Sequence, residues 1–244
     1  MCIRDRWGAA LSYAGAMFDI DVQVWQVRTS YESKPYRRML MDLYGGRCYS
    51  SPTMDTKAGR AMNEKFPGTT GSLGMAISEA VEVALEDEKT HYTLGSVLNH
   101  VMLHQTIIGE ETLLQLKKFG EDQADYVFGC AGGGSNLAGL SFPFIRELIA
   151  GNCTTKIVAV EPASCPSMTE GEFRYDYGDV AHTTPLMKMY TMGADFVPDP
   201  IHAGGLRYHG MAPMVSHAHP LGLLQSIALP QETTFKACLL YTSD

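Results

Sequence analysis

No run of apolar residues in this chain approaches the roughly 20 that a helix needs to cross a bilayer, so no membrane span and no membrane partner are expected. The opening residues, MCIRDRWGAALSYAG, carry arginines but no apolar stretch followed by a cleavage site. No secretory leader is read there, and the cytoplasm is the expected compartment. Positive charge is scarce and scattered: 19 Lys and Arg face 27 Asp and Glu, for a net charge of −8. That balance argues against a nucleic-acid partner, because phosphates reward basic patches. The six cysteines, at 2, 48, 130, 153, 165 and 238, include no C-x-x-C pair. A chain of this size needs no disulfide staples, and reduced thiols are expected. His100 and His104 have the i, i+4 spacing of zinc ligands, but Val101 stands where that motif wants Glu. Helix packing is the simpler reading, and no metal site is expected. Repeats, low-complexity tracts and an obvious linker are also missing.

What is present is a hydrophobic content of 45% in 244 residues, enough for one large domain or two small ones. Helix-like and strand-like segments alternate. WGAALSYAGAMF reads as a helix, DVQVWQV (21–27) as a strand, KPYRRMLMDLYGG as a helix stopped by Gly45-Gly46, and RCYSSP as a short strand and turn. SEAVEVALEDEK (78–89) is helical, and VLNHVMLHQTIIGEETLLQLKKFG is a long helical region with a break expected near Gly109. Then come a strand, DYVFGC (125–130), a helix, NLAGLSFPFIRELIAG, and a β-branched strand, TKIVAVEP. The alternation predicts an α/β protein with mainly parallel sheets flanked by helices. From Glu161 onward, richness in Pro, Gly and His predicts long loops.

The stretch GCAGGGSNLAGL (129–140) falls between a predicted strand and helix. In a parallel sheet such a turn lies at the carboxyl edge, where ligands bind. Its glycines permit a concave backbone, and the helix that follows directs free N–H groups and a positive dipole end at an anion. Ser135 and Asn136 can add side-chain hydrogen bonds. Two familiar phosphate loops do not fit. A Walker loop would need a lysine where Leu140-Ser141 follow Gly139, and a Rossmann fingerprint would need a glycine at Leu137. A tight turn that binds nothing is the plain alternative. Pyridoxal 5'-phosphate (PLP) fits better, since its phosphate is an anchor, its chemistry is carbanion stabilisation, and its lysine comes from elsewhere.

CAGGGSNLAGLSFPF resembles the phosphate loop of the tryptophan synthase β chain, most closely its second, divergent type. VRTSYESKPYRRMLMDLYGG, GSLGMAISEAVE, YTLGSVLNHVMLHQTIIGEE, EPASCPSMTEGEFRYDYGD and TPLMKMYTMGADFVPDPIHAGGLRYHGMAP are similar to that type, in order, over roughly residues 7 to 237. The resemblance implies a fold-type II PLP enzyme of two domains, incomplete at both ends. Residues 7–98 would be the smaller, mobile domain that closes over substrate, and 99–237 part of the larger cofactor domain. The implied activity joins indole to L-serine, with loss of water, to give L-tryptophan. Gly132, Gly133, Gly134, Ser135 and Asn136 would cradle the cofactor phosphate. Carbonyls near that loop and near Gly205-Leu206 would help hold a monovalent cation. A homodimer and a tryptophan synthase α chain are the implied partners.

The sequence departs from the family where covalent chemistry is expected. The Schiff-base lysine belongs to a His-Lys-x-Asn run, and none of the nine lysines here follows a histidine. The run that carries the indole-site carboxylate should precede Trp7-Gly8, where MCIRDR stands instead. Residues 1–6 and 238–244 match nothing in the family and are expected to be foreign ends. The chain is therefore expected to be an inactive internal part of a longer enzyme. Two alternatives remain: another fold-type II enzyme, such as a serine dehydratase or cysteine synthase, and a non-catalytic protein that keeps the cradle. Glu161 is expected beside the site with its role open. Arg207, Tyr208 and His209, after a Gly-Gly turn, are candidates for a ligand loop or a surface loop. Cys130 is expected to pack as a small buried hydrophobe, and His217 and His219 are given no chemistry.

Overall fold

The structure is a computed structural model that describes residues 3–242, with side chains described from Trp7 onward. Residues 1, 2, 243 and 244, parts of the two ends expected to be foreign, lie outside the described residues. The first compact unit takes in the chain up to Gly95 together with Tyr175–Met187 and Gly193–His209; the second takes in Ser96–Arg174, Lys188–Met192 and the chain from Gly210.

The first unit begins with α1 (Ile3–Phe18), β1 (Gln23–Val27), α2 (Arg28–Ser33), α3 (Pro35–Leu43), β2 (Arg47–Ser51), α4 (Lys57–Lys65) and α5 (Leu73–Glu86). Pro35 opens α3 at a position where its missing N–H costs nothing. Gly45, at φ 77°, closes the helix: Gly45 N–H donates to the Asp42 carbonyl and Gly46 N–H to the Met41 carbonyl. This pair of hydrogen bonds at the last turn needs a left-handed residue, which glycine supplies without strain. The helical crossover lets β1 and β2 pair in parallel, from Gln23 opposite Arg47 to Val27 opposite Ser51. Ser72 caps α5 by accepting from Met75 N–H, so that helix starts well before the expected Ser78. Its residues from Leu73 to Glu79 are all buried. Met75 packs with Met62 and Val180, and Ala58, Phe66 and Val197 cover them.

Asp179 is buried in this unit and accepts hydrogen bonds from Ser78 Oγ, Thr183 N and Oγ1, and Thr184 N and Oγ1. Burial works against its charge, but bonds from Thr183, Thr184 and Ser78 outweigh it and hold the carboxyl below the usual carboxylate range. The charged form is thus favoured by folding. Its contribution is present at neutral pH and lost as pH falls through the lowered folded value. Asp179→Asn is expected to cost about 1.5–3 kcal/mol at pH 7. The difference between the two proteins should shrink in urea titrations run at successively lower pH below 4, roughly the ordinary aspartate value. A constant difference across that range would contradict the assignment.

The second unit contains α6 (Asn99–Gln105), α7 (Ile107–Lys118), β3 (Tyr126–Cys130), α8 (Ser135–Ile149) and β4 (Lys156–Pro162). β5 (Glu172–Tyr177) and β6 (Leu186–Thr191) form a separate two-stranded sheet. α9 (Pro213–Ala218), β7 (Gln225–Leu229) and α10 (Gln231–Thr242) follow. The region after Glu161 therefore carries more regular structure than its composition suggests. β4 lies between β3 and β7, both parallel to it. Its near-continuous apolar run suits a strand covered on both faces, whereas β3, at the edge, alternates exposed and buried residues.

The helical break falls at Thr106 rather than Gly109. Gly109 lies inside α7, where any Cβ would strike the Leu140 carbonyl and Pro143. The glycine is there so that α7 and α8 can approach closely, and does not end the helix. α10 has no buried residue. Among the described residues no helix is long and apolar enough to cross a membrane.

Candidate functional site

The parallel sheet of the second unit delivers β3 to the glycine loop. Ala131 N–H still donates to the Val160 carbonyl at 2.8 Å, so the loop leaves the sheet only at Gly132. α8 then starts at Ser135, directly after Gly134 at φ 100°. That backbone angle is costly for any residue with a Cβ. The space behind is also filled: a Cβ on Gly134 would lie 2.8 Å from Met211 Sδ and 3.1 Å from Ala212 Cβ. Ala212 N–H donates to the Gly133 carbonyl at 3.0 Å and fixes the loop from the other side. Gly129, at the end of β3, lets Leu137 lie against the strand.

The first intrahelical bond is that of Ala138 N–H to the Gly134 carbonyl. Among the described residues, the N–H groups of Gly132, Gly133, Gly134, Ser135 and Asn136 donate to no acceptor in the chain. The three glycines and Ser135 are buried, Asn136 exposed. Successive amides near the start of a 15-residue helix, with its dipole behind them, are donors of the kind that can receive a small anion. The side chains behave differently from the backbone. Ser135 Oγ is buried and accepts from Val97 N–H at 2.7 Å while donating to Ser96 Oγ at 3.3 Å. Asn136 Nδ2 donates to the Cys130 carbonyl at 3.4 Å.

The remaining candidates separate. Glu161, at the carboxyl end of β4, is 1% exposed and accepts from Met168 N at 3.0 Å, Thr169 N at 2.8 Å and Thr169 Oγ1 at 2.7 Å. It holds the 167–169 loop. Arg207, Tyr208 and His209, in the first unit, do not form a surface loop: all three are buried. Arg207 Nη2 donates to Thr70 Oγ1 and to the Gly71 and Pro198 carbonyls. Tyr208 donates to the Gly178 carbonyl, and His209 Nε2 lies 2.9 Å from the Tyr177 carbonyl. These polar groups tie loops of their own unit together.

Cys130 is exposed, contrary to the expected packing, because it falls with Tyr126 and Phe128 on the outward face of the edge strand β3. His100, His104 and His217 are exposed, while His219 Nε2 meets Ser226 Oγ at 3.0 Å. Among the described residues no group of three or more His, Cys, Asp or Glu could hold a metal ion. The lysines of the second unit, at 117, 118, 156, 188 and 236, are all exposed. Ser96 and Val97 escaped the sequence reading, since their meeting with Ser135 joins residues 38 to 39 positions apart.

Comparison with known proteins agrees with this architecture. The sequence profile of the family described as "Pyridoxal-phosphate dependent enzyme" matches residues 6–242. "Tryptophan synthase beta chain 2" of Methanosarcina mazei is 51% identical over 236 residues, covering 97% of this chain and 53% of that protein. The protein of the same name from Thermotoga maritima is 50% identical, covering 97% and 56%. The chain thus spans about half the length of the curated relatives it matches. Among solved structures, a threonine deaminase from T.th. has a TM-score of 0.60 at 19% identity, covering 96% of this chain and 62% of that one. A hydrogen sulfide-producing enzyme has a TM-score of 0.53 at 18% identity, covering 91% and 52%. At those identities the likeness concerns the fold, which is the α/β fold-type II arrangement expected from the sequence.

Proposed function

We propose, from the premise that this chain belongs to the pyridoxal-phosphate dependent enzyme family, that it carries the phosphate-anchoring part of a tryptophan synthase β-type enzyme. The whole protein would condense L-serine with indole, releasing water and L-tryptophan. The carrying observation is the roughly 50% identity to tryptophan synthase β chains across 97% of this chain. The local chemistry supports it: five consecutive amides, Gly132 to Asn136, have no acceptor among the described residues and suit a phosphate dianion. When bound, the cofactor supplies an electron sink for carbon-centred negative charge.

In this reading the chain's own groups do the following. The amides of Gly132, Gly133 and Gly134 bind the phosphate, and the α8 dipole lowers the cost of its charge. Gly134 and Ala212 set the loop's curvature. Glu161 keeps the neighbouring loop at the sheet's carboxyl edge in place. A homodimer and an α-chain partner belong to the same reading of the whole protein.

The second unit's lysines are solvated and no lysine follows a histidine, so we expect the cofactor to be held through its phosphate, with no covalent bond from a lysine to its aldehyde carbon. The test is titration of the 244-residue chain with PLP, followed by borohydride reduction, peptide mapping, and assay of serine plus indole. The expected outcome is phosphate-competed binding, no lysine modified in preference to the others, and no tryptophan. Stoichiometric labelling of one lysine together with tryptophan formation would overturn the assignment of this chain as lacking the covalent anchor.

A further inference from the structure

α3 buries one face and leaves the other bare. Met41 is buried, whereas Tyr36, Met39 and Leu43 are 81%, 56% and 76% exposed. Their spacings of three and four residues put these three side chains on one stripe of the helix, with the half-buried Leu40 beside them. α1 packs against α3 and adds the exposed Tyr13, whose ring meets that of Tyr44 edge-on at 5.1 Å. A contiguous apolar stripe in water marks a surface built to be covered.

The charges along α3 run against its own dipole. Its first turn carries Arg37 and Arg38 and no acidic residue, and its last turn carries Asp42 and no basic one. Positive charge at a helix start and negative charge at its end are both disfavoured. Arg38 and Asp42, four residues apart, flank the stripe on the same side. Among the described residues neither has an ion-pair partner. Arg38 lies over the Tyr31 ring at 4.6 Å, which engages the face of the guanidinium and leaves the N–H groups in its plane for another acceptor.

We propose that this face of α3 docks on the same face of a second copy of the chain, with the two helices antiparallel about a two-fold axis between Met39 and Leu40. The charge order selects that occupant. In the antiparallel pair Tyr36 lies against the partner's Leu43 and Met39 against the partner's Leu40. Arg38 then comes within one residue's rise, about 1.5 Å along the axis, of the partner's Asp42. Each arginine faces the negative end of the other helix and each aspartate the positive end, so pairing corrects both misplaced charges. A parallel copy would set arginine beside arginine and aspartate beside aspartate. The contact is isologous, so assembly through it closes at two copies. It uses no residue of the glycine loop and stands apart from the cofactor reading.

Two nine-residue helices cover less than a standard interface, so the association is weak and is read by sedimentation equilibrium of the 244-residue chain at concentrations up to about 0.5 mM. Asp42→Arg and Arg38→Asp are each expected to weaken dimerisation roughly fivefold, because each sets like charges across both symmetric contacts. The double variant R38D/D42R reverses the pair and should return to within about twofold of the parent. Leu43→Glu should weaken it roughly tenfold or more. Thermal melts matching the parent show that the variants fold. A parent that stays monomeric throughout, or a double variant no better than the single ones, would overturn the proposal.

A second measurement fixes the direction of the pair. Met39→Cys and Tyr36→Cys are oxidised mildly, and peptide mapping separates new links from those of the six native cysteines. The antiparallel pair brings the two copies of position 39 together and holds those of position 36 roughly 10 Å apart along the axis, beyond the reach of a disulfide. Met39→Cys is therefore expected to link to its own copy and Tyr36→Cys is not. Linking at both positions, or at neither, would remove the antiparallel face.

Discussion

Gly134→Val is expected to weaken phosphate-competed PLP binding roughly a hundredfold and to lower stability. The residue stands at φ 100°, and the space its side chain would need holds Met211 Sδ at 2.8 Å, Ala212 Cβ at 3.1 Å and Val215 Cγ2 at 3.2 Å. Forcing a β-branched residue into that conformation costs about 1–3 kcal/mol, and overpacking adds about 1–3 kcal/mol more. The backbone can relieve both only by leaving its left-handed angle, which turns the amides of Gly132–Ser135 away from a common point. A misdirection worth about 3 kcal/mol in binding corresponds to roughly a hundredfold loss of affinity.

Gly151 provides the control. It also has a positive φ, 76°, but nothing lies within 4 Å of where its Cβ would be. Gly151→Ala should cost about 1 kcal/mol and leave phosphate affinity unchanged. Urea unfolding and competition binding measured on both variants separate the two effects. Parent-like affinity in Gly134→Val would remove the glycine loop from the anion site.

Glu79→Ala is expected to be the most destabilising single change in the first unit, by about 3–5 kcal/mol. Glu79 has no exposed surface. Its carboxylate accepts from Ser51 Oγ, Thr53 N at 2.9 Å, Thr53 Oγ1, and Thr56 Oγ1 at 2.7 Å. One side chain of α5 thereby gathers the end of β2 and the loop that leads into α4. Thr56 in turn caps α4 by accepting from Gly59 N–H, and Gly59 is pressed so closely on the carboxylate that a Cβ there would collide with it. Alanine would leave buried donors without an acceptor and a void behind them. Glu79→Gln keeps the volume but replaces one acceptor with a donor, and should cost about half as much. The urea midpoint and amide exchange of residues 51–59 report both changes. A Glu79→Ala midpoint within error of the parent would show that these donors find other partners.

Both predictions rest on features that are legible to different degrees in the sequence. The glycine triplet between a strand pattern and a helix pattern announces a crowded turn, since local backbone requirements are written in local residue types. The same holds for α3, whose Pro35 start and Gly45 stop are visible without coordinates. Gly109 shows the limit of such reading. As a local signal a glycine in a helix suggests a break, whereas here it is the contact surface for α8 and the break falls at Thr106. Arg207, Tyr208 and His209 show the same limit. After a Gly-Gly turn a surface loop is one natural reading, yet each is buried on a carbonyl of its own unit.

The sequence by itself determined the alternation that makes a parallel α/β protein, the place of the glycine loop at a strand's carboxyl edge, and the family, because periodicity, turn chemistry and motifs are properties of neighbouring residues. The tertiary structure alone decided what each polar group does. Ser135 meets Val97, Glu79 meets Ser51, and Ser78 meets Asp179 across separations of 38, 28 and 101 residues. A hydroxyl or carboxylate takes whichever partner folding brings within about 3 Å, and nothing in the flanking sequence states which one that is.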